Sequence, residues 1–177
     1  YQTLACWRPI LARSLALLPF CAQSELVGYY KLDGNFDDSS GNGNTGELFG
    51  GASYVPESPK ALGGGQSVLF DGQPGTYGAI NPSPKEGLSI TAQPFHSVSM
   101  WVKADGLQNR DKRIFSEAQS ANNNPLFNVG TANNADNGTV DIYIRAGASL
   151  NHPRSIGIAF DDTWHHVAWT AQGKVMD

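Results

Sequence analysis

The chain has 177 residues, of which 40% are hydrophobic and 16% are charged, and its formal net charge at pH 7 is −4. This length suits one domain with a small additional segment, and the hydrophobic fraction excludes a wholly disordered chain. The acidic balance argues against a polyanion such as nucleic acid as the partner.

Residues 1–24 have the layout of a secretory signal peptide. Arg8 and Arg13 precede the apolar run Ser14–Ala22, which ends in small residues and is too short to span a bilayer. A peripheral helix and a lipoprotein signal are the alternatives. Loss of this segment removes two arginines, which takes the net charge from −4 to −6, and it removes Cys6 and Cys21. We therefore predict a secreted, extracellular or cell-surface domain over residues 25–177 that is stabilised without disulfides.

The stretch Asp33–Gly46, DGNFDDSSGNGNTG, has the most unusual composition in the chain. It contains four Gly, three Asp and three Asn but only one apolar residue. This composition favours turns, because Asn, Asp and Ser bond their own backbone and Gly adopts positive φ. The stretch follows Leu26–Leu32, an apolar and aromatic segment typical of a strand. Composition alone favours an ordered turn over a metal site, although a loop so dense in oxygen atoms also suits a hard cation such as Ca²⁺.

From residue 26 onwards, short strand-like runs alternate with turns, and no helical period is evident. Apolar and polar residues alternate most clearly in Val98–Val102 and in Val140–Arg145, as expected for half-buried strands. The predicted strands are Leu26–Leu32, Ala52–Val55, Ser67–Phe70, Tyr77–Ile80, Val98–Val102, Ile114–Glu117, Leu126–Val129, Val140–Arg145, Ile156–Phe160 and His165–Thr170. This series predicts an all-β fold, an antiparallel sandwich of two sheets.

Four sequence blocks carry a resemblance to a known family. They are LVGYYKLDGNFDDSSGNGNTG, SVLFDG at Ser67–Gly72, SVSMWVKAD at Ser97–Asp105 and WHHVAWT at Trp164–Thr170. In order and spacing they resemble the laminin-G-like branch of the concanavalin A-like lectin/glucanase superfamily, in the form found in secreted bacterial multidomain proteins. The resemblance covers Leu26 to the last residue and implies a jelly roll. It also implies that the chain is a fragment, because the family continues after the WHHVAWT block with further strands.

The resemblance raises the expectation of a structural Ca²⁺ in the Asp33–Gly46 stretch. We expect Asp38, together with Asp37, Asn42 and Asn44, to supply oxygen ligands beside main-chain carbonyls. In the family the site also draws on an acidic residue of the last strand, which this chain lacks. Binding should therefore be weak, nearer the millimolar range of extracellular modules than the nanomolar range of buffers.

The sequence contains no recognisable catalytic machinery. Glycoside hydrolysis needs two carboxylates across a cleft, and the glutamates of this chain are scattered singly. His165 and His166 cannot chelate one ion from a regular strand, because adjacent side chains face opposite ways. His96 and His152 lie in predicted loops with no partner that the sequence identifies.

Exposed aromatic side chains are the candidates for contact with a ligand. Tyr143, on the polar face of an alternating strand, and Trp101 are the two that we single out for sugar stacking, although most aromatics of a sandwich fill its core. The sequence thus predicts a non-catalytic binding or adhesion module for carbohydrate or another extracellular ligand, with a structural calcium and no membrane span. The alternatives are an accessory domain of a larger glycoside hydrolase and a purely structural surface or spacer domain.

Overall fold

The structure is a computed structural model that describes residues 25–82, 87–90, 93, 95–118, 122 and 124–172. The predicted signal peptide, with both cysteines, lies outside the described residues, as do residues 173–177. Within the described part, no helix is both long enough and apolar enough to cross a membrane.

The described residues form eleven β-strands and one 3-10 turn, Lys60–Leu62. The strands are β1 (Gly46–Phe49), β2 (Ser53–Val55), β3 (Ser67–Leu69), β4 (Tyr77–Ile80), β5 (Phe95–Val102), β6 (Arg113–Ala118), β7 (Leu126–Thr131), β8 (Thr139–Ala146), β9 (Ser149–Asn151), β10 (Arg154–Ile158) and β11 (His165–Gln172). Every strand pair is antiparallel. The prediction of an all-β, antiparallel sandwich is therefore confirmed, and the finer assignment to a jelly roll stays a prediction.

The largest sheet has five strands in the order β10-β8-β7-β6, with β9 also paired to β8. Strand β5 pairs with β11 over eight residues in continuous register. Two further two-stranded sheets are formed by β1 with β4 and by β2 with β3. The order places β7 and β8 in the middle of the five-stranded sheet, where both of their edges are paired.

The hydrophobic core lies between the five-stranded sheet and the β5–β11 pair. Its buried members are Phe127, Val129, Val140, Phe160, Val167 and Trp169, and the half-buried residues packed against them include Val98, Met100, Val102, Ile142 and Ile144. Burial of each large apolar side chain stabilises the fold by about 1.5–3 kcal/mol. The alternating residues of β5 and β8 face this core as predicted. The opposite side chains of β8, Asp141 and Tyr143, therefore lie on the outer face of the five-stranded sheet.

The prediction of a strand at Leu26–Leu32 is wrong. Within it only Tyr30 forms a β-bridge, with Asp38. Apart from one backbone bond, from the N–H of Ser39 to the carbonyl of Tyr29, the segment bonds to side chains. The N–H of Tyr29 donates to the carboxylate of Asp38, and the carbonyl of Val27 accepts from the amide of Asn44. Apolar composition predicted a strand here, but polar side chains of the following loop take the place of the partner strand.

Candidate functional site

The stretch Asp33–Gly46, hereafter the Asp/Asn loop, is organised around the carboxylate of Asp38. Oδ1 accepts hydrogen bonds from the backbone N–H groups of Tyr29 (3.0 Å) and Ser40 (2.8 Å). Oδ2 accepts from the Ser40 hydroxyl (2.8 Å) and from the backbone N–H of Asn44 (2.9 Å). These bonds, the one from the Ser40 hydroxyl first, hold the pKa of Asp38 well below its usual range, because each favours the ionised carboxylate.

The amides of Asn42 and Asn44 also bond within the chain. Nδ2 of Asn42 donates to the carbonyl oxygen of Leu26 over 2.6 Å. Nδ2 of Asn44 donates to the carbonyl oxygen of Val27 over 2.7 Å, and its Oδ1 accepts from Nδ2 of Asn81 over 2.9 Å. Because Asn81 immediately follows β4, these bonds join the Asp/Asn loop both to the segment before it and to the sheet.

This arrangement does not fit a calcium ion at the predicted ligands. A carboxylate has about four lone-pair positions, and those of Asp38 face four donors of the chain. Asn42 and Asn44 point NH₂ groups, not oxygens, at the nearby carbonyls, and Asp37 is exposed. Among the described residues, no group of three His, Cys, Asp or Glu side chains could hold a metal ion. Calcium binding here stays a prediction and would require the loop to exchange hydrogen bonds for metal contacts.

A second polar cluster lies on the outer face of the five-stranded sheet. The register aligns Arg113 of β6, Gly130 of β7, Asp141 of β8 and Arg154 of β10 in one row across four strands. The adjacent row consists of Ser116, Asn128 and Tyr143. Directly opposed residues of antiparallel strands point to the same face, so these side chains share one surface. We call these two rows, together with His152, the polar face.

Asp141 is the buried centre of the polar face. It is only 6% exposed although it lies on the outside of the sheet. Its Oδ1 contacts Nε2 of His152 and lies 3.7 Å from Nε of Arg154, and its Oδ2 accepts from the backbone N–H of Asn133 over 3.1 Å. Arg154 also donates from Nη2 to Oδ1 of Asn133 over 3.0 Å. A buried carboxylate needs nearby cationic or N–H groups to offset its lost hydration, and Asp141 lies against both His152 and Arg154.

The second row places an aromatic ring beside these groups. Tyr143 is half-buried, and its ring packs edge-on against the imidazole of His152, with centroids 5.1 Å apart. The amide of Asn128 lies between Ser116 and Arg113. Oriented to satisfy both, it donates to Oγ of Ser116 over 2.6 Å and accepts from Nε of Arg113 over 3.1 Å. The polar face thus combines one ring with fixed donors from three strands and the segment between β9 and β10.

Trp101 lies on the other side of the sandwich. It is 37% exposed on the outer face of β5, and its ring packs against that of His166, with centroids 5.3 Å apart. His165 points the other way, and its Nε2 lies 2.9 Å from Oδ1 of Asp161. The two histidines therefore diverge. Because Trp101 and Tyr143 occupy opposite outer faces, one small ligand cannot contact both.

Sequence reasoning identified Tyr143 but missed its neighbours. Asp141 precedes Tyr143 by two residues and therefore shares its face, which the alternation in β8 could have indicated. His152 has Asp141 as its partner, but this contact depends on how β10 returns beside β8. Comparison of the chain with models of protein families, with curated proteins and with solved structures found no match. The resemblance to laminin-G-like domains therefore stays a prediction, and function is argued from geometry.

Proposed function

We propose that this chain is a non-catalytic carbohydrate-binding module and that its ligand lies on the polar face. The observation that carries the proposal is the convergence of the Tyr143 ring with the guanidinium groups of Arg154 and Arg113 and the imidazole of His152 on an outer sheet face. A sugar offers an apolar ring face, which packs on an aromatic side chain, and hydroxyl groups, which need a few fixed polar partners. Both kinds of partner are present within two adjacent rows.

The burial of polar groups on this face supports the same proposal. Burial of Asp141 and Asn128 costs free energy that only hydrogen bonds and ion pairs offset. An outer sheet face does not need such burial for folding, because simple exposed polar residues would suffice there. The arrangement instead gives Arg154 and His152 a fixed orientation, as expected for a surface that recognises a ligand.

The proposal excludes a hydrolytic role for the polar face. Glycosidases flank the scissile bond with two carboxylates. The rows of the polar face provide one carboxylate, Asp141, and both of its oxygens contact groups of the chain. An accessory role beside a hydrolase domain and a role as a surface adhesin are both compatible with binding. A purely structural spacer would bind no polysaccharide, so a measured affinity distinguishes a spacer from an accessory domain or an adhesin. A structural calcium in the Asp/Asn loop is a separate hypothesis.

The test compares two aromatic substitutions on opposite faces. The protein is first screened against immobilised polysaccharides, and affinity for any bound polysaccharide is then measured for Tyr143→Ala and Trp101→Ala. We expect Tyr143→Ala to lower the affinity about tenfold, which corresponds to about 1.4 kcal/mol of lost ring contact, and Trp101→Ala to leave it unchanged. Absence of binding to every polysaccharide, or a loss confined to Trp101→Ala, would contradict the proposal.

A further inference from the structure

The polar face concentrates positive charge on an acidic protein. The chain carries a net charge of −4. Of the four arginines in the described residues, three lie on strands of the five-stranded sheet with side chains on its outer face, namely Arg113, Arg145 and Arg154. The fourth, Arg110, lies in the loop before β6. The arginines of the described residues are therefore gathered on and beside this one sheet.

The acidic group of the polar face lies beneath its cations. The side chain of Asp141 is 6% exposed, whereas those of Arg154 and Arg113 are 35% and 39% exposed. Asp111, in the loop before β6, has a side chain that is 55% exposed and pairs with Arg113 at 2.6 Å, so it offsets part of the positive charge at that end of the row. Within the row that contains Asp141, the groups that reach solvent are therefore the two guanidinium groups, which are N–H donors. The complementary ligand offers oxygen acceptors and negative charge.

The spacing of the arginines indicates an extended ligand. Arg113 and Arg154 stand at the two ends of one row, three strand spacings apart, which is about 14 Å at about 4.8 Å per spacing. Between them stand Gly130, which has no side chain, and Asp141, whose side chain is only 6% exposed. A Cβ atom at Gly130 would lie 1.9 Å from the carbonyl oxygen of Lys112, so the backbone admits no larger residue. A linear ligand that crosses the strands over Gly130 would reach both guanidinium groups.

We infer that the ligand of the polar face is an acidic polysaccharide with anionic groups repeated along its chain. This inference rests on the proposed function and names its ligand class. The carboxylate of a uronic acid and a sulfate ester share the chemistry that matters here, a pair of oxygens that a guanidinium binds through two parallel hydrogen bonds. Tyr143 packs against the sugar ring between the charged groups.

The test is a calorimetric titration of the full chain with matched polysaccharide pairs. Polygalacturonate is compared with its methyl ester, and dextran sulfate with dextran, so that the members of each pair share a sugar backbone and one of them lacks the anionic group. We expect at least one acidic member to bind, its neutral counterpart to bind about tenfold more weakly or not at all, and the affinity to fall as salt is raised from about 0.05 to about 0.5 M. The pair that responds identifies the anionic group as carboxylate or sulfate.

Three arginine substitutions separate specific contact from general charge. Arg154→Gln and Arg113→Gln should each lower the affinity for the acidic polymer about tenfold, the effect of one lost charge-assisted contact. Arg110→Gln removes the same charge from the neighbouring loop, where Arg110 lies 3.9 Å from Asp136, and should change the affinity less than about twofold, because no direct contact with the polymer is lost and salt screens exposed charges. If Arg154→Gln lowers the melting temperature, Arg154→Lys keeps the charge and should retain part of the affinity.

The outcomes distinguish the inference from the proposed function. Tyr143-dependent binding that is equal for acidic and neutral members would overturn the inference and leave the proposed function standing. An equal loss with Arg110→Gln and Arg154→Gln would also overturn it, since binding would then follow total charge. If the protein binds none of the four polysaccharides and none of the wider panel, both the inference and the proposed function are contradicted.

Discussion

Replacing Asn44 with alanine removes the side chain that joins the Asp/Asn loop to both of its neighbours. Asn44 is 7% exposed and Asn81 is 9% exposed, so their hydrogen bond of 2.9 Å is buried. Alanine keeps the backbone bonds of residue 44 but removes the donor to the carbonyl of Val27 and the acceptor for Asn81. Among the described residues, the remaining partner of Nδ2 of Asn81 would be the carbonyl of Gly87, at 3.0 Å.

The expected loss follows from two side-chain hydrogen bonds in a buried setting. Each contributes about 1 kcal/mol net, and a buried donor with reduced pairing adds to this, so Asn44→Ala should cost roughly 2–3 kcal/mol in the free energy of unfolding. For a chain of this size, about 2–4 °C of melting temperature corresponds to each kcal/mol. The melting temperature should therefore fall by about 4–12 °C.

Urea unfolding followed by tryptophan fluorescence and by circular dichroism measures this loss, in buffer that contains EDTA. Asn42→Ala is the matched control, because it removes the same side chain from the same loop at an exposed position. Water replaces its hydrogen bonds, so the control should stay within about 0.5 kcal/mol of the parent protein. Equal effects of the two substitutions would refute the role assigned to Asn44.

Three further predictions concern the loop, acid stability and the core. Asp38→Ala should lower the melting temperature by the same amount in EDTA and in about 10 mM calcium, roughly ten times a weak extracellular dissociation constant; a loss confined to calcium would instead establish the predicted metal site. Hydrogen bonds lower the pKa values of Asp38, Asp71 and Asp161 in the folded state. The ionised carboxylates therefore stabilise the fold above pH about 4, and this contribution is lost as the pH falls through the folded pKa values. Urea unfolding between pH 7 and pH 2 should show this loss, and Asp38→Asn should reduce it; an unchanged free energy of unfolding in acid would contradict it. Phe127→Ala, at a core position that is 2% exposed, should lower the free energy of unfolding by about 3–5 kcal/mol. Phe95→Ala, at a position that is 62% exposed, should lower it far less. Similar losses in the two urea titrations would mean that the core lies elsewhere.

Strands with a clear period of two could be predicted from the sequence. In β8 the apolar residues Val140, Ile142 and Ile144 contribute to the core as the alternation indicated, and the structure extends the strand by one residue at each end. Strand β4 has the predicted bounds, because Gly75 and Pro82 delimit it on either side. In these two strands the local sequence preference and the tertiary packing favour the same structure, so the sequence alone predicts the strand.

Segments whose partners are distant or are side chains could not be predicted. Leu26–Leu32 has the composition of a strand, yet its backbone bonds to Asp38 and to Asn side chains of the Asp/Asn loop. Strand β1 begins at Gly46, the last residue of the predicted loop. Its partners in β4 are 28 to 34 residues away in the sequence. Composition reports local preference and carries no information about which groups complete the hydrogen bonds.

The polar face was predictable only in its first residue. Alternation in β8 placed Tyr143 on the outside, but the contacts of Asp141 with His152 and Arg154 depend on the return of β10. Arg154 of β10 pairs with Asp141 of β8, and Ile158 pairs with Thr139. Between these two pairs β10 advances by four residues while β8 advances by two, so β10 contains a bulge. Such a bulge shifts the register and redirects the side chains on either side of it, and it has no signature in the sequence here.

An amide chemical-shift titration with a bound polysaccharide tests most directly whether the polar face is the binding surface, whatever the identity of the sugar. We predict the largest shift changes at Asn128, Gly130, Tyr143 and Arg154, with no comparable change in the Asp/Asn loop. The largest changes around Trp101 instead, on the opposite face of the sandwich, would contradict this assignment of the site.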